Sequence, residues 1–337
     1  MIKDAIKKVV SGENLSYETA ETVMNEIMSG NASDIEISAY LTALRMKGET
    51  TDEITACANG MRKAGVHLKH DGIEVLEIVG TGGDEAFTFN ISTVSGFVIS
   101  AAGVPVAKHG NRSVSSKCGA ADCLESLGVK LDVSVEKSEE ILRRIGMCFM
   151  FAQKYHSSMK YVAPVRKALG IRTVFNILGP LANPANAEYQ LMGVYSESLL
   201  KPMAEVLSKL GLKRGMVVCG CDGLDEITMT GTTKACLIDN GKITEMVINP
   251  EDYGFKLCQP DELVGGNPEV NKQIALDILS GKEKGAKRDV VILNSAVCLF
   301  IAGKGTIKEC IDIAKEQLDN GKAMKQLEMF VKLSNEE

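Results

Sequence analysis

The chain has 337 residues, 45% of them hydrophobic and 24% charged, with a formal net charge of −6 at pH 7. That length exceeds one ordinary core and points to two domains, at roughly 150 residues per domain. The acidic balance argues against a nucleic-acid protein that works by bulk electrostatics, and no apolar run nears the ~20 residues of a membrane span. The ten cysteines are scattered, with no Cys-x-x-Cys pair and no zinc-like His/Cys spacing. With no secretory leader at residues 1–4, they are expected as reduced thiols of a soluble, cytoplasmic protein.

Residues 1–70 carry helical signals only. A helix is expected over 16–28, stopped by Gly30-Asn31. Ser33-Asp34-Ile35-Glu36 is a capping box, and Gly48 is a plausible stop for the helix it opens. Thr50-Thr51-Asp52-Glu53 is a second box, opening a helix towards Ala64. Leu41, Leu44, Ile54, Ala58 and Met61 fall at helical spacing, giving these helices a stripe to bury against the rest of the chain or a second subunit.

From Val75 the pattern changes to apolar runs alternating with helices, the signature of an α/β fold with a mainly parallel sheet. Strands are expected at 75–79, 104–107, 148–152, 189–195 and 215–220. Helices fall between them near 93–102, 119–127, 138–145, 158–168 and 198–210. Beyond Asp225, pieces at 233–238 and 243–248 flank the turn signal Asp239-Asn240-Gly241. The rest is helical: 268–279 with Asn267 as cap, then 288–302, 306–319 and about 321–333.

Two strand–loop–helix junctions stand out. The first strand breaks into Gly80-Thr81-Gly82-Gly83-Asp84 and a helix opens at Asn90-Ile91-Ser92-Thr93; the second breaks into a polar loop over 108–117 ahead of Gly119. Free backbone N–H groups and the helix dipole make such junctions anion sites, and finding two suggests a ligand with more than one phosphate. The glycine loop is neither a Walker A loop nor a dinucleotide fingerprint, so alone it could be a tight turn. Ser92 or Thr93 is expected to cap the following helix, where a hydroxyl also suits magnesium. His109 is a candidate base, although a lone histidine is more often a packing residue. Cys219-Gly220-Cys221-Asp222-Gly223-Leu224-Asp225-Glu226 follows a strand and presents three carboxylates that can reach magnesium from a loop. Residues 141–187 hold no Asp or Glu but seven cations, Arg143, Arg144, Lys154, Lys160, Arg166, Lys167 and Arg172. With Lys108, Arg112 and Lys117, they suggest positive potential focused on a small anion.

Gly-Thr-Gly-Gly-Asp, Asn-Ile-Ser-Thr, Lys-His-Gly-Asn-Arg-x-Val-Ser-Ser-Lys, Pro-Val-Arg-Lys-x-Leu-Gly-Ile-Arg-Thr-Val-Phe-Asn and Asp-Gly-Leu-Asp-Glu occur in that order. Over nearly its whole length the chain resembles the anthranilate phosphoribosyltransferases of tryptophan biosynthesis. The resemblance implies a helical domain over 1–72, rejoined by a segment near 171–187, and an α/β domain over 73–337. It implies a homodimer through the helical part, phosphoribosyl pyrophosphate (PRPP) and anthranilate as substrates, and magnesium, two ions. Gly80, Gly83, Asp84, Thr88, Asn90, Ile91, Ser92 and Thr93 would hold the pyrophosphate. Lys108, His109, Gly110, Asn111, Arg112, Ser113, Val114, Ser115 and Ser116 would wrap the phosphoribosyl group, with Ala120 at a position where the family commonly has serine. Asn111 and Arg166 would contact anthranilate; Ser92, Asp225 and Glu226 would bind metal. Asp84, Lys108, Arg166 and Glu226 are the catalytic candidates. Cys118, Gln153, Ser157 and Glu85 also depart from the family pattern. A pyrimidine nucleoside phosphorylase of the same general fold would show a Lys-His-Ser-type loop in place of 80–84. A nucleic-acid-binding relative would have lost the acidic pair and gained basic charge.

Overall fold

The computed structural model describes residues 1–113 and 116–336. Four helices open the chain, α1 (Ile2–Val10), α2 (Tyr17–Met28), α3 (Asp34–Lys47) and α4 (Thr51–Ala64). Both capping boxes form: Ser33 and Thr50 accept from the N–H groups of Glu36 and Glu53, whose carboxylates return to the cap N–H. Such caps contribute about 1 kcal/mol each. The expected stripe of Leu41, Leu44, Ile54, Ala58 and Met61 is buried. It packs within an apolar cluster that includes Val162, Val165, Val174, Phe175, Leu178 and Leu181 from the middle of the chain.

The sheet has seven strands in the order β3-β2-β1-β4-β5-β6-β7. Its first half comprises β1 (Leu76–Gly80), α5 (Ile91–Ala101), β2 (Val106–Gly110), α6 (Ala120–Ser126), α7 (Val135–Ile145) and β3 (Met147–Phe151). A connecting segment follows, with α8 (Ala152–Tyr155), α9 (Ala163–Leu169) and α10 (Phe175–Leu178). The second half adds β4 (Tyr189–Gly193), α11 (Leu200–Lys209), β5 (Arg214–Gly220), β6 (Thr233–Asp239) and β7 (Lys242–Ile248). Four helices close the chain: α12 (Pro268–Leu279), α13 (Ala286–Ile301), α14 (Ile307–Asp319) and α15 (Lys322–Asn335). Strands β1 to β5 are parallel and β6 and β7 antiparallel.

Alternate residues of the strands enter different cores, as a sheet covered on both faces requires. Leu191, Met216 and Val218 join the cluster under α5 and α13; Met192, Val217 and Cys219 join the cluster shared with α1–α4 and α11. The helical domain therefore packs onto the sheet through α11 and the connecting segment.

Three local expectations change. The helix expected over 158–168 is divided into a 3-10 turn at Ser157–Tyr161 and α9, with the short α8 ahead of it. Pro164 stands in the first turn of α9, where its missing N–H costs no helix bond and begins a new helix. The second strand runs on through Lys108, His109 and Gly110, which pair with Phe149, Met150 and Phe151. And the cap of α5 is Asn90, so Ser92 and Thr93 lie inside its first turn.

On the outer side of the helical domain, a groove of about 1180 Å³ is lined by α1, α3 and α9. Val10, Ile35 and Met46 stand 71%, 82% and 82% exposed along it.

Candidate active site

Strand order reverses at β1: the chain runs outward through β2 and β3, then returns to place β4 on the other side. In open α/β sheets, ligands bind outside the carboxyl ends of the strands at such a switch point. Gly80 and Gly193, the last residues of β1 and β4, face each other there. The glycine loop leaves from Gly80. Gly82 and Gly83 have φ of +70° and +76°, the left-handed region that only glycine adopts without strain.

Three carboxylates converge on this loop. The Gly82 N–H donates to Asp225 Oδ2 at 2.6 Å, and the Asp225 N–H lies 3.5 Å from Asp84 Oδ2. The Ser92 N–H donates to Glu226 Oε1 at 3.2 Å, bringing the first turn of α5 onto the same acids. Behind them Lys108, 2% exposed, donates from Nζ to Ile78 O at 2.7 Å and to Ser92 Oγ at 3.1 Å. The third carboxylate expected from the 219–226 loop is not among them. Asp222 accepts instead from the hydroxyls of Thr228 and Thr230, and Asp84 takes its place.

The electrostatics follow from burial. Desolvation, then the charges of Asp84 and Glu226, push the Asp225 carboxyl well above the usual range. Burial pushes Glu226 up to about 7, against the pull of Lys108 and the Ser92 N–H. Burial also lowers Lys108, opposed by Glu226 and Glu77. Among the described residues no three His, Cys, Asp or Glu side chains form a ready metal site. Asp225, Glu226 and the Ser92 hydroxyl are nonetheless hard oxygen donors of the kind magnesium takes, one or two carboxylates being completed by phosphate oxygens and water. A cation there would relieve the crowding of like charge.

The helix N-termini differ from the expectation of free N–H groups. At α5, the Ile91 N–H goes to Phe89 O, the Ser92 N–H to Glu226 and the Thr93 N–H to Asn90 O. Among the described residues, Thr93 Oγ1 is buried without a partner. Asn90 holds Cys118 O and receives Asn271. Thr88 bridges to Val264. Gly83 is held from its carbonyl by Arg172 Nη2 at 2.7 Å.

Beyond β2, Gly110 is the last strand residue, and the Asn111 amide accepts from the Arg112 N–H at 2.8 Å. Arg112 does not point at the acids: it is tied to Asp122 and Glu125 of α6. Ser113 donates its N–H to Asp122 and its hydroxyl to Ser116 O. Ala120 opens α6. Val114 and Ser115 lie outside the described residues. His109 is buried against His156, which with desolvation lowers it to about 3; a ring held neutral this strongly is a poor general base.

The acid-free stretch does not deliver all its cations to one site. Arg143, Arg144 and Lys154 pair with Asp71, Glu140 with Glu336, and Asp132. Acids outside the stretch neutralise them: Glu140 one turn earlier on α7, and Asp71, Asp132 and Glu336 from farther away. Arg166 is half-buried with its guanidinium over Phe175, and Arg172 reaches the glycine loop at Gly83 O. Sequence reasoning gave Arg172 no individual role; its place between Gly83 O and the Tyr195 ring is visible only in the fold. It also missed Glu77, a buried strand acid whose Oε1 accepts the His109 N–H.

A parallel α/β sheet with phosphate-type loops at its switch point, carrying a helical bundle, is the architecture of a known transferase class. Residues 3–65 match the helical bundle domain of the glycosyl transferase family and residues 72–324 its a/b domain. An anthranilate phosphoribosyltransferase of Lachnoclostridium phytofermentans is 60% identical over 336 residues, 99% of each chain. The crystal structure of that enzyme from Thermus thermophilus superposes with a TM-score of 0.93 at 42% identity, covering 99% of this chain and 100% of its own. The Saccharomyces cerevisiae enzyme, solved in complex with PRPP and Mg, gives 0.91 at 28% identity, covering 99% and 97%. The chain belongs to the glycosyl transferase family and, within it, to the anthranilate phosphoribosyltransferases.

Proposed function

We propose that this chain transfers the phosphoribosyl group of PRPP to the amine of anthranilate, giving N-(5-phosphoribosyl)anthranilate and pyrophosphate, in tryptophan biosynthesis. The observation that carries the reading is the convergence of Asp84, Asp225 and Glu226 on the glycine loop and the first turn of α5.

Bound magnesium supplies charge neutralisation for the departing pyrophosphate, and Asp225, Glu226 and Ser92 Oγ would hold it. Two ions are proposed, because Asp225 is held by the glycine loop and Glu226 by α5, marking two edges of the site. Gly80, Gly83, Asp84, Thr88 and residues 90–93 would cradle the pyrophosphate, and residues 108–116 the ribose phosphate. Lys108 acts from behind, holding Ser92 Oγ and offsetting the charge of Glu226. Arg166 would grip the anthranilate carboxylate in the bidentate geometry guanidinium favours. Its half-buried position weakens its own hydration, which makes an anionic partner more favourable. The amine nitrogen carries a free lone pair, so attack on the sugar carbon from the face opposite pyrophosphate needs no strong base. Catalysis then rests on positioning and preorganised charge.

The domain division at residue 72, with 171–187 returning to the helices, is supported by the apolar cluster that Val174, Phe175 and Leu181 share with α1–α4. A homodimer through the helical domain is supported by the exposed apolar groove of α1, α3 and α9. Ile35→Glu should shift the mass measured by light scattering from two chains to one; an unchanged mass removes this face from consideration. A cytoplasmic setting is where ten free cysteines are expected.

The test of the reaction is loss of anthranilate fluorescence with PRPP, with and without magnesium. A loss that requires both supports donor, acceptor and metal together. No loss while PRPP still binds would keep the phosphate site and reject the acceptor.

A further inference from the structure

The strand β4 ends in Gly193, a residue inside an apolar run that carries no chemistry of its own. It lies beside Gly80 in the parallel register of β1 and β4, so the switch point is a notch between two residues without side chains. The loop after β5 fills that notch. A Cβ at Gly193 would stand 1.5 Å from Asp225 O and 2.2 Å from its carbonyl carbon, where real Cβ contacts essentially never fall below 3.0 Å. A Cβ at Gly80 would meet Asp225 Oδ2 at 2.3 Å. The two contacts differ in kind. At Gly80 the obstacle is a side-chain oxygen that can rotate; at Gly193 it is the peptide of Asp225, which moves only if the loop moves. The Gly193 carbonyl also accepts the Thr81 N–H at 3.0 Å, anchoring the first residue of the glycine loop. One residue thus touches both loops that the Gly82 N–H and Asp225 Oδ2 join.

We propose that Gly193 is a positioning residue for the metal-binding acids: its bare Cα lets the Asp225 peptide lie against β4, while its carbonyl sets the start of the glycine loop. This rests on the reading of Asp225 and Glu226 as metal ligands. In Gly193→Ala the 224–226 peptide must retreat from the sheet, carrying both carboxylates with it. Changes that displace metal ligands through their supports typically cost about ten- to hundredfold in affinity.

The sheet supplies its own control. Gly215 on β5 is also crowded, though less tightly, its missing Cβ lying 2.5 Å from the Leu212 side chain and 2.6 Å from Gln190 O, and it stands at the other end of the strand from the acids. The experiment is binding of Mn²⁺ in the presence of pyrophosphate, read from the resonance of free Mn²⁺, for the full-length chain, Gly193→Ala and Gly215→Ala, with thermal unfolding alongside. Both variants should unfold at lower temperature. Only Gly193→Ala should bind Mn²⁺ roughly tenfold or more weakly. Wild-type affinity in Gly193→Ala overturns the positioning role, as does an equal loss in Gly215→Ala. Absence of Mn²⁺ binding by the unmodified chain overturns the metal reading itself and the inference with it. Should Gly193→Ala not fold, Thr81→Pro removes the N–H that the Gly193 carbonyl accepts; weakened binding supports the role, and unchanged binding contradicts it.

Discussion

Two lysines in this molecule hold their ammonium groups near buried acids, and their surroundings differ. Lys47, its side chain 6% exposed, meets the fully buried Glu53 carboxylate at 2.8 Å. Glu53 also accepts the N–H groups of Leu15 and Thr50, and Lys47 donates to Asn14 Oδ1 and Gly48 O. Every donor and acceptor of that pair is satisfied by the chain itself. At the other site, Lys108 directs its donors to Ile78 O and Ser92 Oγ. Asp225 and Glu226 are held chiefly by single backbone N–H groups and crowd one another, with Asp84 adding to the like charge. A charge pair closed on itself ties the α3–α4 turn to the start of α2. A cluster with an excess of acid is arranged for a cation brought from outside.

The comparison is broken most directly by removing one acid from each region. Glu53→Ala leaves Lys47 buried without its partner and should cost about 3–5 kcal/mol in urea unfolding, with metal dependence unchanged. Glu226→Gln should do the reverse. Stability to urea should hold or rise, while kcat/KM falls on the order of a hundredfold or more, the scale of losing one preorganised electrostatic contact. Comparable stability losses in both variants would erase the distinction.

The pH dependence sharpens it. Asp225 and Glu226 hold their protons more tightly folded than unfolded, so between about pH 4.5 and about 7 the folded chain carries the excess. Stability of the ligand-free enzyme should therefore fall as pH rises through that window. Glu226→Gln should flatten the decline in Tm, and magnesium with pyrophosphate should reverse it above pH 7. A Tm that rises with pH in the unmodified chain, by the same amount in Glu226→Gln, would contradict the assignment. The smallest effect is expected at Arg172, whose bond to Gly83 O steadies the glycine loop. Arg172→Ala should raise KM for PRPP about tenfold, in line with about 1.5–3 kcal/mol for a hydrogen bond to a charged group, with kcat less affected.

The architecture was legible because the capping boxes, the strand runs and Asn267-Pro268 are local signals that the structure uses as written. The change from a helical start to an α/β sheet was readable for the same reason. What was not legible depends on partners remote in the chain. Lys108 and His109 read as loop because they are polar, yet they are strand residues: Ile78 O accepts from Lys108 Nζ, and Glu77 accepts the backbone N–H of His109. The pairing of Arg112 with Asp122 and Glu125 of α6 likewise has no local signal in the sequence. Asp222 leaves the expected group of loop acids for want of any sequence signal that Thr228 and Thr230 would claim it. Gly193 is the extreme case: its part is to be absent where another peptide passes.

The central claim is that the acids on the loops after β1 and β5 form a metal-dependent pyrophosphate site. Calorimetric titration of PRPP into the unmodified chain and into Asp225→Asn, each with magnesium and with chelator, tests it most directly. The account predicts strong binding only for the unmodified chain with magnesium, and a common weak residue in the other three titrations. Equal affinity in Asp225→Asn and the unmodified chain, both with magnesium, would contradict it.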